Sequence, residues 1–135
     1  MPIANGSGGY QVGSGNNNEV ILSYCATPVS QASTATLTAA QVAAGTLLVG
    51  SGQTTAQTYT LPAASTLDTV VPNARVGSTF LLNVVNLGTS SGTGALAMGT
   101  GFTDGGNATV ALPITSSGQF MFRKTGDATW SVYRI

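Results

Sequence analysis

No histidine occurs in this 135-residue chain, cysteine occurs once, and charged residues make up only 6% of it. Without His, the side chain that most often moves protons near neutral pH is missing, which leaves one Lys and four carboxylates for acid–base work. A single Cys25 allows no intramolecular disulfide, and with no His beside it a structural zinc site is out of reach. The formal net charge is zero, so there is no basic footprint for phosphates and nucleic-acid binding is not expected. No apolar run approaches the length of a membrane span, and the opening MPIANGSGGYQVGSGNNN lacks the basic start and apolar stretch of a signal peptide. The expectation is a soluble chain made in the cytoplasm, with no membrane partner.

Thr, Ser, Asn, Gln and Gly stand where an average domain, with about 25% charged residues, would place Lys and Glu. Uncharged polar side chains enter a subunit interface at far lower desolvation cost than charges do, so the composition suits a permanent assembly. From Met1 to Asn18, Ile3, Tyr10 and Val12 are isolated apolar points in Gly, Asn and Ser. So sparse a stretch cannot offset its ordering entropy alone, and it reads as an N-terminal arm (1–18) whose partner-binding residues are Ile3, Tyr10 and Val12. Residues 19–135 read as one β domain.

Within that domain, Glu19–Cys25 is β-branched and aromatic-rich and predicts a first strand, with a second short strand over Thr34–Thr38. Thr38 is placed to N-cap a short helix over 39–44, with Gly45 at its C-terminal end. Strands follow at Thr46–Val49 and Thr58–Leu61, then a second short helix capped by Ser65 and stopped by Pro72. The sequence GSTFLLNVVNL from Gly77 to Leu87 carries apolar residues at both parities, which predicts an interior strand covered on both faces. Ala95–Met98 and Ala108–Leu112 are further strands, and Gln119–Thr125 with Thr129–Ile135 form a closing hairpin. About eight short strands with Gly-rich turns predict an all-β, jelly-roll-like sandwich or barrel with one or two short helices.

Candidate chemistry is thin. Glu19, Asp68, Asp104 and Asp127 lie on separate elements, so a glycosidase-type pair is not expected, and Asp104 and Asp127 beside Gly read as turn residues. Asp104 with Asn107 offers one carboxylate, too little for a Ca²⁺ loop. Cys25 reads as a small buried hydrophobe, and the sequon at Asn107 has no secretory context. Arg123 and Lys124 beside Phe120 and Phe122 read as a solvated sheet face. No enzyme activity, cofactor or metal is expected.

The text TAAQVAAGTLLVGSGQTTAQTYTLPAASTLDTVV from Thr38 to Val71, followed by GSTFLLNVVN, resembles the capsid-decoration (cement) and head-fibre proteins of tailed bacteriophages, as does the hydrophobic hairpin QFMFRKTGDATWSVYRI. The resemblance covers most of the chain after the arm. It implies a virion structural protein: a β-rich homotrimer on the outer surface of the phage head that clamps neighbouring major capsid protein subunits. The alternative is a fibre-type receptor- or glycan-binding β domain, in which Tyr59, Trp130 or Tyr133 would stack on sugar.

Overall fold

A computed structural model describes residues 24–135. The expected arm, with Ile3, Tyr10 and Val12, and the Glu19–Ser23 part of the expected first strand lie outside the described residues. Tyr24 and Cys25 belong to no strand.

The described chain is mostly β, with nine strands and two short helices: β1 (Val29–Gln31), β2 (Ala35–Thr36), α1 (Ala39–Ala43), β3 (Thr46–Val49), β4 (Gln57–Thr60), α2 (Ala64–Val70), β5 (Thr79–Asn86), β6 (Gly94–Ala97), β7 (Phe102–Gly106), β8 (Ser117–Gly126) and β9 (Thr129–Arg134). From β1 to β7, successive strands alternate between two sheets, and β8 and β9 stay in the sheet of β7. One has six strands in the order β1-β3-β5-β8-β9-β7, the other three in the order β2-β4-β6. Side chains of both contribute to one buried core, so the arrangement is compatible with a β-sandwich.

The ladders differ from a jelly roll, whose neighbouring strands are antiparallel. Here β1-β3-β5 and β2-β4-β6 are all parallel, and β7 pairs parallel with β9; only β5-β8 and β8-β9 run antiparallel. The chain passes from the large sheet to the small one, through a helix, and back. Thr46 pairs with Asn83 and Thr60 with Ala97, so residue i lies beside residue i + 37 along this whole turn of chain. The loops stack as well, since Thr89 donates its N–H to the Gln53 carbonyl and Ser91 to that of Thr54.

The caps explain where the helices sit. Thr38 accepts from the Gln41 amide, and the Gln41 side chain accepts from the Thr38 amide, a reciprocal pair that starts α1, while Gly45 after it takes φ +90°. The N-cap of α2 is Ala63, not Ser65. The Ala64 amide is satisfied by the Thr100 carbonyl across the fold, so no side-chain cap is needed and Ser65 is an exposed residue inside the helix.

Two strand expectations change. Ala108–Leu112 is a turn ending in a single bridge from Leu112 to Gly94, while the strand is β7, just before it. The cause is Asp104, whose carboxylate gathers the amides of Gly106, Ala108 and Thr109 and curls the chain away from the sheet. β5 is interior, as expected, but among the described residues it is covered on one face only: Leu82, Val84 and Asn86 are buried, whereas Leu81 is 46% exposed. The hairpin is as read, with Phe120, Phe122, Trp130 and Val132 all buried and Phe80 stacked on Phe122 at 4.8 Å between ring centroids.

Candidate functional site

The acids come first, because catalysis would need them. Asp68 on α2 accepts from Lys124 Nζ at 2.6 Å and Trp130 Nε1 at 2.8 Å through one oxygen, and from the Ala128 amide at 2.9 Å through the other. Burial pulls this carboxyl upward, but the bonds from Lys124, Trp130 and Ala128, with the Lys124 charge, outweigh it and hold it below the usual carboxylate range. Asp104 is also held low, first by the Ala108 amide, then by the Thr109 hydroxyl and the amides of Thr109 and Gly106. Both oxygens of each carboxylate are thus engaged in holding this chain's own backbone and side chains. Asp127 lies exposed in the β8–β9 turn. Among the described residues, no three His, Cys, Asp or Glu gather where they could hold a metal ion.

Several side chains lie elsewhere than the sequence predicts. Cys25 is exposed, not buried. Lys124 and Arg123 point to opposite faces: Arg123 is exposed, whereas Lys124 is buried against Asp68 with its ammonium 5.3 Å from the Trp130 ring centroid. Tyr59 and Trp130 are core residues. The Tyr59 hydroxyl donates to the Ala32 carbonyl at 2.7 Å, and burial raises its pKa above the ordinary tyrosine value. Only Tyr133 of the three proposed sugar-stacking rings keeps partial exposure. Two open concavities among the described residues are lined by no acid: one of about 510 Å³ by Asn107, Val110, Arg134 and Ile135, and one of about 340 Å³ between Val85–Leu87 and Thr115–Ser117.

What remains is the outward face of the six-stranded sheet. Strand alternation turns Thr46 and Leu48 of β3, Thr79, Leu81, Asn83 and Val85 of β5, and their β8 and β9 partners away from the core. Cross-strand register arranges them in rows. Leu81, Met121 and Tyr133 form one apolar row; Thr46, Asn83 and Gln119 form the next, with Gln119 Nε2 donating to Asn83 Oδ1 at 3.0 Å; Leu48 and Val85 follow. Arg123 is the one charged side chain among these positions. An extended, weakly polar face of this kind suits contact with another surface better than turnover of a small molecule.

The sheet edges are poor docking points by contrast. β1 is three residues long and is crossed by Gln41, whose Nε2 donates to the Ser30 carbonyl; β7 carries a bulge at Asp104/Gly106. No helix among the described residues is long and apolar enough to cross a membrane. The expected partner-binding residues Ile3, Tyr10 and Val12 lie outside the described residues. Comparison with protein-family models, with curated proteins and with solved structures finds no match for this chain.

Proposed function

We propose that this protein is a virion structural protein, a bacteriophage capsid-decoration protein that binds the outer surface of the head as a homotrimer and stabilises it. The observation that carries the reading is the pairing of a nearly charge-free outward sheet face with acids that are engaged in internal structure. The face offers area without strong desolvation cost, and the described carboxylates offer no free pair for acid–base work. The resemblance of Thr38–Val71 and of the closing hairpin to decoration proteins points the same way. In this reading, Ile3, Tyr10 and Val12 seat the N-terminal arm on the major capsid protein, and no cofactor takes part.

Light scattering on the purified protein, followed by co-sedimentation with empty heads, tests it. A trimer that pellets with heads supports the clamp. A monomer indifferent to heads sinks it and leaves the fibre-type binding domain, for which Tyr133 is the remaining aromatic candidate. Replacing Ile3, Tyr10 and Val12 together by Ala is expected to weaken head binding at least tenfold, about 1.4 kcal/mol, while leaving the trimer intact.

A further inference from the structure

We propose that the concavity where β9 runs past the end of β7 is a binding site for a carboxylated sugar, with Arg134 taking the carboxylate. The inference goes beyond the capsid reading and does not depend on it. The concavity exists because of Asp104. β7 stays beside β9 as far as the pair Gly106–Tyr133. The Asp104 carboxylate then gathers the amides of Ala108 and Thr109 and leads the chain away towards Leu112, which bridges to Gly94 of the small sheet. Ile135 still donates its N–H to the Gln119 carbonyl on the β8 side, but among the described residues no β7 residue pairs with Arg134 or Ile135 on the other. The departing turn supplies Asn107 and Val110, which with Arg134 and Ile135 line about 510 Å³, a volume in the range of small-ligand sites.

The chemistry of these four residues selects the ligand. Arg134 is half-buried, and among the described residues its one side-chain hydrogen bond runs from Nη1 to the Val110 carbonyl at 3.3 Å, with no carboxylate in ion-pair range. The acid of the neighbouring turn, Asp104, faces Gly106, Ala108 and Thr109 instead. A guanidinium fork steadied by a backbone carbonyl, with donors to spare, matches a carboxylate in shape and charge. One cation balances that monoanion, whereas a phosphate monoester would bring about two negative charges to it. Val110 and Ile135, 52% and 64% exposed, are aliphatic side chains that the C–H face of a sugar ring would cover. The Asn107 side chain offers both donors and an acceptor, as sugar hydroxyls require, and its residue is exposed at φ +57°, a conformation that Asn tolerates. Hexuronates and sialic acids share this chemistry of a carboxylate on a hydroxylated ring.

NMR titration of the backbone amides of the full chain with glucuronate, N-acetylneuraminate, glucose and acetate tests the site. At least one acidic sugar is expected to bind with a Kd of about 1 mM and to shift Asn107, Val110 and Ile135, with glucose and acetate weaker by about tenfold or more; the tighter of the two names the sugar class. Arg134→Gln is expected to weaken that binding by about tenfold or more. Asn107→Asp is expected to do the same, because Asp also accepts a left-handed φ and brings a competing carboxylate into the concavity. Arg123→Gln, on the outward sheet face, is expected to leave binding unchanged. Acetate as tight as the acidic sugars would make this a bare anion site and overturn the proposal. Equal binding of glucose, no shifts at about 20 mM ligand, or an Arg123→Gln loss as large as that of Arg134→Gln would overturn it too. If Arg134→Gln disturbs the end of β9, Asn107→Asp decides alone, and unchanged binding in that variant overturns the assignment.

Discussion

Asp68 serves three donors from the β8–β9 hairpin, whereas Lys124 serves one acceptor, so the two halves of their ion pair are not equivalent. Asp68→Ala leaves a buried ammonium, an indole N–H and a backbone N–H without their acceptor and is expected to cost about 3 kcal/mol or more. Lys124→Met keeps most of the volume against Trp130 and leaves the carboxylate its two other donors, so a smaller loss is expected. Urea unfolding of both variants checks the order. The same carboxylates set the acid limit of the fold. Asp68 and Asp104 both have folded pKa values below their unfolded ones, near about 3.9. Their contribution is therefore full above that value and is lost as pH falls through the lowered folded values, because the unfolded chain takes up protons first. Urea midpoints are expected to be flat from neutral pH to about pH 5 and to fall below about pH 4, with a shallower fall in Asp68→Asn and Asp104→Asn. Asn86 is a third such residue: its Nδ2 donates to the carbonyls of Gly92, Leu112 and Pro113 and its Oδ1 accepts from Gly88, tying the β5–β6 loop to the chain before β8. A Cβ on Gly88 would collide with the Gly92 carbonyl oxygen, so this knot also explains why glycine stands there.

At the scale of elements, the two helix starts make opposite predictions. Thr38→Ala removes a reciprocal cap and is expected to cost about 1 kcal/mol, while Ser65→Ala, exposed inside α2, is expected to change stability by less than about 0.5 kcal/mol. Equal losses in thermal unfolding would mean that α2 starts at Ser65 after all. The contrast also marks what the sequence makes legible. Thr38, Gly45 and the alternation of Phe120, Phe122, Trp130 and Val132 are local signals, and α1, β3 and the hairpin lie where they put them. β7 was hidden because FTDGG reads as a turn, and its strand character comes from pairing with Trp130–Tyr133 on the far side of a hairpin. The parallel ladders β3-β5 and β4-β6 were hidden because partners lie 37 residues apart with no repeated text across most of that distance. A short echo exists in Thr36-Leu37-Thr38-Ala39-Ala40 and Thr60-Leu61-Pro62-Ala63-Ala64; Thr36 pairs with Thr60, and both leucines are buried. Asp68–Lys124 left no local trace for the same reason, and Tyr59 and Trp130 can stand in the fibre-type alternative because aromatic side chains do not declare which sheet face they occupy.

For the whole molecule, the shortage of charge shapes both packing and partnership. Lys124 and Asp68 neutralise each other inside, and the outward sheet face carries Arg123 alone, so a contact made through that face or through the uncharged side chains of Ile3, Tyr10 and Val12 has little Coulomb energy to lose. Salt screens exposed charges strongly, with a Debye length of about 3 Å at 1 M, but leaves apolar burial in place or strengthens it. If the protein is a capsid clamp of the kind proposed, binding to empty heads is expected to survive about 1 M NaCl with less than a threefold change in affinity. An ion-pair contact would behave differently, because its on-rate and affinity fall together as salt rises. Co-sedimentation across a salt series separates the two. A steep loss would move the contact away from the apolar rows of the sheet face and the apolar arm residues and onto the exposed charges, Arg123 at the margin of that face and Arg75 and Asp127 outside it, whose single replacements by Ala would then have to reproduce that loss at low salt.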